Sequence, residues 1–487
     1  MCIRDSAIRT REQFAQYFPF LRAEGLLPFS LNKGQQRTYT FLHYTVQVTE
    51  RQAEQRSQCP AHRGLATAHE ADEEDASHAE RGKIAPSRPM KLIEVNDART
   101  LYDWMRLPWS IYAQDANWIP HLKQDVEKVF DPEKNKLLKP DRDTGKTGTV
   151  IRWVLYSDAG KAIGRIAAFV NAKIAWTERQ PTGGVGFFEC INDQGAANLL
   201  FDAGRDWLKA QGMQAMDGPI NLGDRNMFWG LLIKNFTDAP IYGTSYNPPY
   251  YQALFETYGF QVWFNQLFFK RSVSVPAQPI FHRKYKQLEN DPDIRMHDAR
   301  GRNVEQIADD FRTVYNDGWV DHENHKAMEP ATALKIVRSM KPVMDPRLVI
   351  FIRHKDRPVA MYVSLPELNE IFKYVNGDLN WMGKLKFLYH KWRGTVQTMT
   401  GMVFGVAKDW QGKGLEGALI VYAEKHIVEK KLYKDTILTW IGDFNPRMVK
   451  VCQNLDAENY RTLATYRYLF DRSIPFERHP IIEKKER

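Results

Sequence analysis

Glycines and lysines are concentrated in one short stretch, residues 408–416, of the 487-residue chain. Gly412 and Gly414 would let the backbone approach a ligand closely, and Lys408 and Lys413 would add positive charge. From residue 415 onward, apolar residues recur at the spacing of one helix face. Because the first N–H groups of a helix lack backbone partners and carry the positive end of its dipole, they favour an anion. These residues therefore predict an anion site into which a diphosphate would fit.

The residues before this turn must hold it in place. Residues 398–406 are rich in Thr, Val, Met and Phe, which is typical of a half-buried strand. The predicted order is therefore strand, glycine turn and helix. Glycine before a helix is also an ordinary loop device, so this order alone leaves both a ligand site and a plain turn open.

The composition is that of a globular chain with a mild excess of positive charge. Hydrophobic residues make up 43% of the sequence and the formal net charge is +9, which is compatible with an anionic ligand. The lysines and arginines are scattered, so a solvated basic surface is predicted rather than a nucleic-acid site. Four widely spaced cysteines predict neither a disulfide framework nor a zinc site. No run of 18 apolar residues is present, so we expect a cytoplasmic protein without a membrane span.

The first 89 residues differ from the rest of the chain. All 13 tryptophans lie after residue 90, and the early part is polar with little periodicity. The opening MCIRDS is similar to translated adapter sequence, so we expect residues 1–89 to be a non-native or disordered extension. A genuine regulatory extension is the alternative.

Two copies of one unit follow residue 90. Each copy runs through a strand, a helix, a strand pair, a third strand, an amphipathic helix, another strand, a helix and an aromatic strand. The first copy carries an additional segment, including GDRNMFWGLL, before its last helix. This segment is predicted either to cover a pocket or to be a surface insertion.

The glycine turn and the repeat together resemble the GNAT superfamily of N-acetyltransferases. QGKGLE is similar to that family's pyrophosphate loop, and DFNPRMVKVCQNLD and YNPPYYQALFETYGF are similar to its last-helix segment. WIPHLKQDVEKVFDP and LPELNE resemble a bacterial tandem GNAT-like family whose substrate is unassigned. The resemblance implies an α/β (α+β) chain with two tandem GNAT-like acyl-CoA N-acyltransferase folds, each a mixed, mostly antiparallel sheet flanked by helices. The expected domains are a degenerate GNAT-like domain at 90–275, a linker at 276–292 and a GNAT-like domain with the CoA loop at 293–487.

The resemblance also implies the residues that bind acetyl-CoA or another acyl-CoA. The backbone of the strand would hold the pantetheine arm and the loop would hold the pyrophosphate. The residues concerned are Phe404, Val406, Gln411, Gly412, Lys413, Gly414, Leu415 and Glu416. Glu416 departs from the family pattern, because a carboxylate in the first helical turn repels a diphosphate unless it points away.

Candidate catalytic residues follow from the same comparison. Asp443 would be the base at the end of a strand, with Asn445 beside it, although both residue types are also ordinary helix caps. The family's acidic tyrosine is replaced by Cys452, for which we expect a core position rather than thiolate protonation. Tyr460 and Tyr466 are candidate substitutes for that acid.

Other residues offer weaker alternatives. In the first copy, Asn192, Gln194 and Ala196 occupy the phosphate-loop positions, so no nucleotide site is expected there. His322 and His325 have the spacing of a metal pair but no evident third ligand, so no metal is predicted. Asn369 either touches an acceptor or serves turn chemistry.

The sequence therefore predicts an acyl-CoA-dependent N-acyltransferase acting on an unknown small-molecule or peptide amine. Two alternatives remain open. One is a transferase that resembles the aminoacyl-tRNA-dependent peptidoglycan enzymes, and the other is a non-catalytic acyl-CoA-binding protein. The sequence does not fix the oligomeric state.

Overall fold

The computed structural model describes residues 90–141, 145–177, 179–223, 225–319, 327–428 and 432–482. They belong to one compact unit. The predicted extension at 1–89 and the histidine pair His322 and His325 lie outside the described residues.

The described residues form one sheet of 13 strands. The strands are β1 (Lys91–Glu94), β2 (Thr149–Tyr156), β3 (Ala162–Val170), β4 (Thr182–Cys190), β5 (Ala215–Gly218), β6 (Leu231–Lys234), β7 (Gln261–Ser272), β8 (Ile294–Asp298), β9 (Val349–His354), β10 (Arg357–Pro366), β11 (Thr398–Val406), β12 (Asp435–Gly442) and β13 (Glu458–Leu469). Their order is β1-β2-β3-β4-β5-β13-β7-β12-β11-β10-β9-β8, with β6 paired to β13. Within the described sheet, the β4–β5 and β11–β12 pairs are parallel and the other pairs are antiparallel.

Helices flank this sheet. They are α1 (Ala98–Ile111), α2 (Lys123–Phe130), α3 (Gln194–Ala210), α4 (Tyr251–Tyr258), α5 (Pro279–Glu289), α6 (Val304–Trp319), α7 (Pro330–Met340), α8 (Asn369–Phe372), α9 (Trp381–Trp392), α10 (Leu415–Ala423) and α11 (Pro446–Asn454). Local signals set their ends: Asp97 and Thr100 form a capping box on α1, and Gly259 ends α4 with a φ of 110°. The predicted fold class, a mixed and mostly antiparallel sheet with flanking helices, is confirmed.

The two halves of the chain exchange their last strands. β7 ends the first half but pairs with β12 of the second half, whereas β13 ends the second half but pairs with β5 of the first. β7 and β13 also pair with each other at the centre of the sheet. Each half therefore completes the sheet of the other.

Separate cores cover the two ends of the sheet. In the first half, α3 buries Leu200 against β3, and α4 buries Phe255 against β13, where Tyr466 is fully buried. In the second half, α10 buries Leu415 and Leu419 among the side chains of β9 and β10. The stretch expected as a linker at 276–292 contains α5, whose Phe281 packs against this second core.

A buried ion pair fastens the exchanged strand β13 to the first half. Arg467 Nε and Nη2 donate to the two carboxylate oxygens of Asp217 on β5, at 2.6 and 2.9 Å. The guanidinium also lies 3.6 Å from the ring centroid of Trp263 on β7. Bidentate geometry and a cation–π contact compensate the desolvation of the charge.

We expect Asp217→Asn to destabilise the whole described unit, because it removes the carboxylate that accepts two hydrogen bonds from the buried Arg467 guanidinium. The loss should be about 3 kcal/mol or more in free energy of unfolding. Urea unfolding followed by tryptophan fluorescence and by circular dichroism should give one shared transition, since the strand exchange couples the halves.

The control is Glu305→Ala, which breaks an exposed pair with Arg338 and should change stability little. Two separate transitions, or equal effects of the two substitutions, would contradict this account of the sheet.

Candidate functional site

The parallel strands β11 and β12 separate part of the way along their length. Residues 398–401 pair with residues 435–438, and the described register does not pair the two strands beyond that point. At the point of separation, Thr439 Oγ1 donates to the Gly401 carbonyl at 2.8 Å. A wedge-shaped cleft therefore opens between the second parts of the two strands.

A β-bulge lies at the narrow end of this cleft, where the two strands part. Val403 pairs with Val363 and Gly401 pairs with Ser364, so the register skips Met402, whose side chain is exposed. Buried Ser364 Oγ has no hydrogen-bond partner among the described residues. A bulge re-aims backbone groups, and here it does so beside the cleft.

The glycine turn follows β11 and lies at the open end of the cleft. Gly412 and Gly414 have φ values of 77° and 89°, which a residue with a side chain adopts only with strain. α10 then begins at Leu415, and no described side chain caps its first turn. A Cβ on Gly412 would meet no atom within 4 Å, so the turn is open on its outer side. Uncapped N–H groups at an open helix start fit an anion such as a pyrophosphate.

Other predicted CoA-binding residues surround this turn. Gln411 Nε2 donates to the Val406 carbonyl at 3.4 Å and so ties the turn to the end of β11. Lys413 Nζ lies 4.6 Å from the ring centroid of Trp410. Half-buried Phe404 packs beside the core under α10. Glu416 is half-buried in the first turn of α10.

The structure adds Lys284 on α5 to the surroundings of the turn. A Cβ on Gly414 would lie 3.0 Å from Lys284 Cδ, so the lysine stem packs directly against the glycine. Lys284 was not predicted as a site residue, because α5 falls in the stretch predicted as a linker. The sequence does indicate a helix here, because Phe281, Tyr285 and Leu288 share one helix face and a proline stands at the first helical position.

A buried carboxylate also contacts β11, through the side chain of Thr400. Glu367 follows β10, and its Oε2 accepts from Thr400 Oγ1 at 2.9 Å. Its Oε1 accepts from the backbone N–H groups of Tyr242, at 2.7 Å, and Asn369, at 2.9 Å. Burial raises the pKa of Glu367 from 4.5 to about 7, in spite of these hydrogen bonds. The sequence analysis missed Glu367, because its burial depends on the additional segment of the first half that supplies Tyr242.

The candidate catalytic residues are separated in the structure. Asp443 accepts from the Asn265 backbone N–H at 3.1 Å and from Arg478 Nη2 at 2.7 Å. Asn445 caps α11 through the Met448 N–H at 3.3 Å, which is the capping role considered above. Both side chains therefore make local structural bonds, and their catalytic roles stay predictions.

Tyr460, the third candidate catalytic residue, has different surroundings. Its hydroxyl is buried and has no hydrogen-bond partner within the described part of the chain. Burial raises the pKa of Tyr460, and the charge of Glu367 adds to that shift. Tyr460 packs near Ile437 of β12. A neutral hydroxyl donor is thus held beside the strand that forms one wall of the cleft.

The other proposed acids lie elsewhere. Cys452 is buried with Phe269, Ile441 and Ala457, and burial raises its thiol pKa to about 12, so the expected core position is confirmed. Tyr466 donates to Glu256 in the first-half core at 2.9 Å.

The equivalent cleft of the first half is filled. After β5 the chain stays beside β4, where the Ile220 N–H donates to the Val185 carbonyl at 2.8 Å. A Cβ on Gly186 would lie 1.7 Å from the Ile220 carbonyl oxygen, which shows how closely the two segments pack. The start of α3 is capped by Asp193, whose side chain accepts from the Ala196 N–H. Neither feature leaves room for an anion or a pantetheine arm.

The additional segment of the first half contacts the second half beside the open cleft. Asn226 accepts from Trp440 Nε1 on β12 at 3.0 Å, and Asn369 Nδ2 donates to the Pro240 carbonyl at 2.8 Å. The gap at this junction is bordered by Asp125, Phe228, Tyr242, Asn369 and Phe372 and has no room for a water molecule. Asn369 thus joins the two halves at a closely packed junction.

Among the described residues, no group of three or more His, Cys, Asp or Glu side chains is placed to hold a metal ion. None of the described helices has both the length and the apolar character needed to cross a membrane.

Comparison with known proteins gives distant relatives. The chain is 25% identical over 383 residues to the bacterial ceramide synthase of Caulobacter vibrioides, covering 77% of this chain and 97% of that protein. It is 24% identical over 367 residues to protein YghO of Escherichia coli, covering 74% and 91%. No family model matches.

Among solved structures, a tandem GNAT protein from the clavulanic acid biosynthesis pathway overlaps with a TM-score of 0.44 and 11% identity, covering 80% of this chain and 100% of that one. The strand order, the parting of β11 from β12, the bulge and the glycine turn describe a chain of two similar halves with one open cleft.

Proposed function

We propose that the second half binds acyl-CoA and that the protein transfers the acyl group to an amine. The observation that carries this proposal is the uncapped helix start of α10, placed by Gly412 and Gly414 at the open end of the β11–β12 cleft. The turn would hold the pyrophosphate through backbone N–H groups, with Lys284 and Lys413 nearby. The cleft would hold the pantetheine arm against the edge of β11.

Acyl-CoA supplies the acyl group as a thioester, which an uncharged amine can attack. The amine nitrogen bonds to the acyl carbon, the carbon–sulfur bond breaks, and the thiolate takes up a proton. The bulge at Met402 re-aims backbone donors toward the place where the oxyanion would form. In this proposal Glu367, with its raised pKa, accepts the ammonium proton through Thr400. Tyr460, held neutral by burial, donates to the reacting groups.

The acceptor that we favour is a long-chain amine. The relative in Caulobacter vibrioides is named a ceramide synthase, and a ceramide is the amide of a fatty acid with a long-chain amino alcohol. Asp125 accepts from the Tyr242 hydroxyl at 2.7 Å and would attract an ammonium group.

A non-catalytic acyl-CoA-binding protein is a second candidate, favoured by the burial of Cys452 at the position of the family's acid. The two candidates predict the same CoA binding but differ in turnover.

The first prediction of the proposal concerns CoA binding. Replacing Gly412 and Gly414 with valine forces the turn out of its left-handed conformation and should weaken CoA binding by more than about tenfold, which is ~1.4 kcal/mol. Isothermal titration calorimetry with CoA should give one site per chain for the parent protein, because the first-half cleft is filled. The matched control is Gly160→Val, which also replaces a left-handed glycine but lies in the β2–β3 turn. Equal affinities for the two variants, or two sites per chain, would refute the site.

The next prediction concerns Glu367. A base must be unprotonated, so turnover should rise as the pH passes through about 7, and Glu367→Gln should lower kcat by about 10²-fold and remove that rise. The free energy of unfolding should change with pH in the opposite direction. The raised pKa means that the folded protein holds this proton more tightly, so stability falls as the pH rises from 4.5 to about 7 by up to about 3 kcal/mol. Glu367→Gln should flatten that slope in melting experiments.

Glu370→Gln provides the comparison, since Glu370 accepts from the Gln397 N–H instead. A Glu367→Gln protein with parental kcat and an unchanged pH profile would eliminate Glu367 as the base, and parental CoA binding without turnover in the wild type would favour the binding protein.

A further inference from the structure

Helix α9 carries a row of exposed aromatic and apolar side chains. Trp381 is 60% exposed, Leu385 42%, Tyr389 38% and Trp392 51%. Spacings of three and four residues place them on one face of the helix. Burying such side chains in a protein core would be the ordinary outcome, and a continuous exposed row of this kind marks an interaction surface.

The charged side chains on α9 itself and at Arg393 after it are all positive. Lys384, Lys386 and Arg393 are exposed, and the sequence 381–397 contains no aspartate or glutamate. Lys373 and Tyr374 extend the surface on the preceding turn, where the Tyr374 ring stacks on His390 with centroids 3.9 Å apart. A surface with tryptophan, tyrosine and lysine side by side complements an anionic, amphipathic partner.

The inner side of α9 is anchored to the rest of the second half. Asn380 caps the helix by accepting from the Gly383 N–H at 3.0 Å. Phe387 stacks on Phe372 with ring centroids 5.7 Å apart. The Phe372 ring packs in turn beside the Tyr242 ring, with centroids 5.3 Å apart. Phe372 and Tyr242 belong to the closely packed junction between the halves, so one side of α9 packs toward that junction while the other faces outward.

We propose that α9 is an interfacial helix that docks on the surface of an anionic lipid bilayer. Trp381, Leu385, Tyr389 and Trp392 would enter the headgroup region, and the basic residues would face the lipid phosphates. The helix is too short to span a bilayer, which is consistent with a helix lying in the plane of the surface. Docking goes beyond the proposed reaction. Its use, which rests on the proposed function, is to bring a long-chain amine from the bilayer to the half of the chain that contains the β11–β12 cleft.

The test is flotation of the full chain with two kinds of vesicle, pure phosphatidylcholine and an equal mixture of phosphatidylcholine and phosphatidylglycerol. The parent protein should float with the anionic vesicles and much less with the neutral ones. Trp381→Ser with Trp392→Ser should lower the partition coefficient by at least about tenfold, because the apolar contact area is lost. Lys384→Gln with Lys386→Gln should lower it several-fold and reduce its salt dependence.

Tyr102→Ser is the matched control. Tyr102 is 64% exposed on α1, away from the row, and its loss should leave partition unchanged. All four proteins should keep their melting temperature and CoA affinity, so lost flotation with retained CoA binding separates failed docking from a failed active site. Docking is refuted if the parent protein does not float with anionic vesicles, or if the double tryptophan variant floats equally well. It is also refuted if that variant loses only a concentration-dependent dimer.

Discussion

The pairing of β7 with β13 at the centre of the sheet is the contact on which the rest of the structure depends. Each strand ends one half of the chain and lies beside a strand of the other half. The exchange puts the additional segment of the first half next to β12 and Glu367. One half therefore contributes walls to the cleft of the other.

The two halves repeat one unit, but the equivalent clefts of the two copies differ. In the first half, the Ile220 segment packs against Gly186, and Asp193 satisfies the start of α3. In the second half, β11 and β12 part and the start of α10 stays uncapped. Filling a cleft with backbone contacts gains packing and hydrogen bonds, whereas an open one leaves donors for a ligand. Under the proposed function, this contrast would give a structural role to the first half and the binding role to the second.

Local signals in the sequence predicted much of this architecture. The strand at 398–406, the glycines at the positive φ positions and the cap at Asn445 all follow from short-range chemistry, and the structure contains each of them. The strand exchange could not be predicted, because the patterns of β7 and β13 specify a strand but not its neighbour. The role of Glu367 could not be predicted for a related reason, since its burial requires Tyr242 from a distant part of the chain.

The central claim, one acyl-CoA cleft per chain between β11 and β12, is tested most directly by a crystal structure with a non-hydrolysable acyl-CoA analogue. The account predicts pyrophosphate density at the backbone N–H groups of residues 412–416 and a pantetheine arm in the cleft beside Met402. It also predicts that the first-half cleft, closed by Ile220, holds no analogue. Density for the analogue in the first half, or at a site away from α10, would contradict the account.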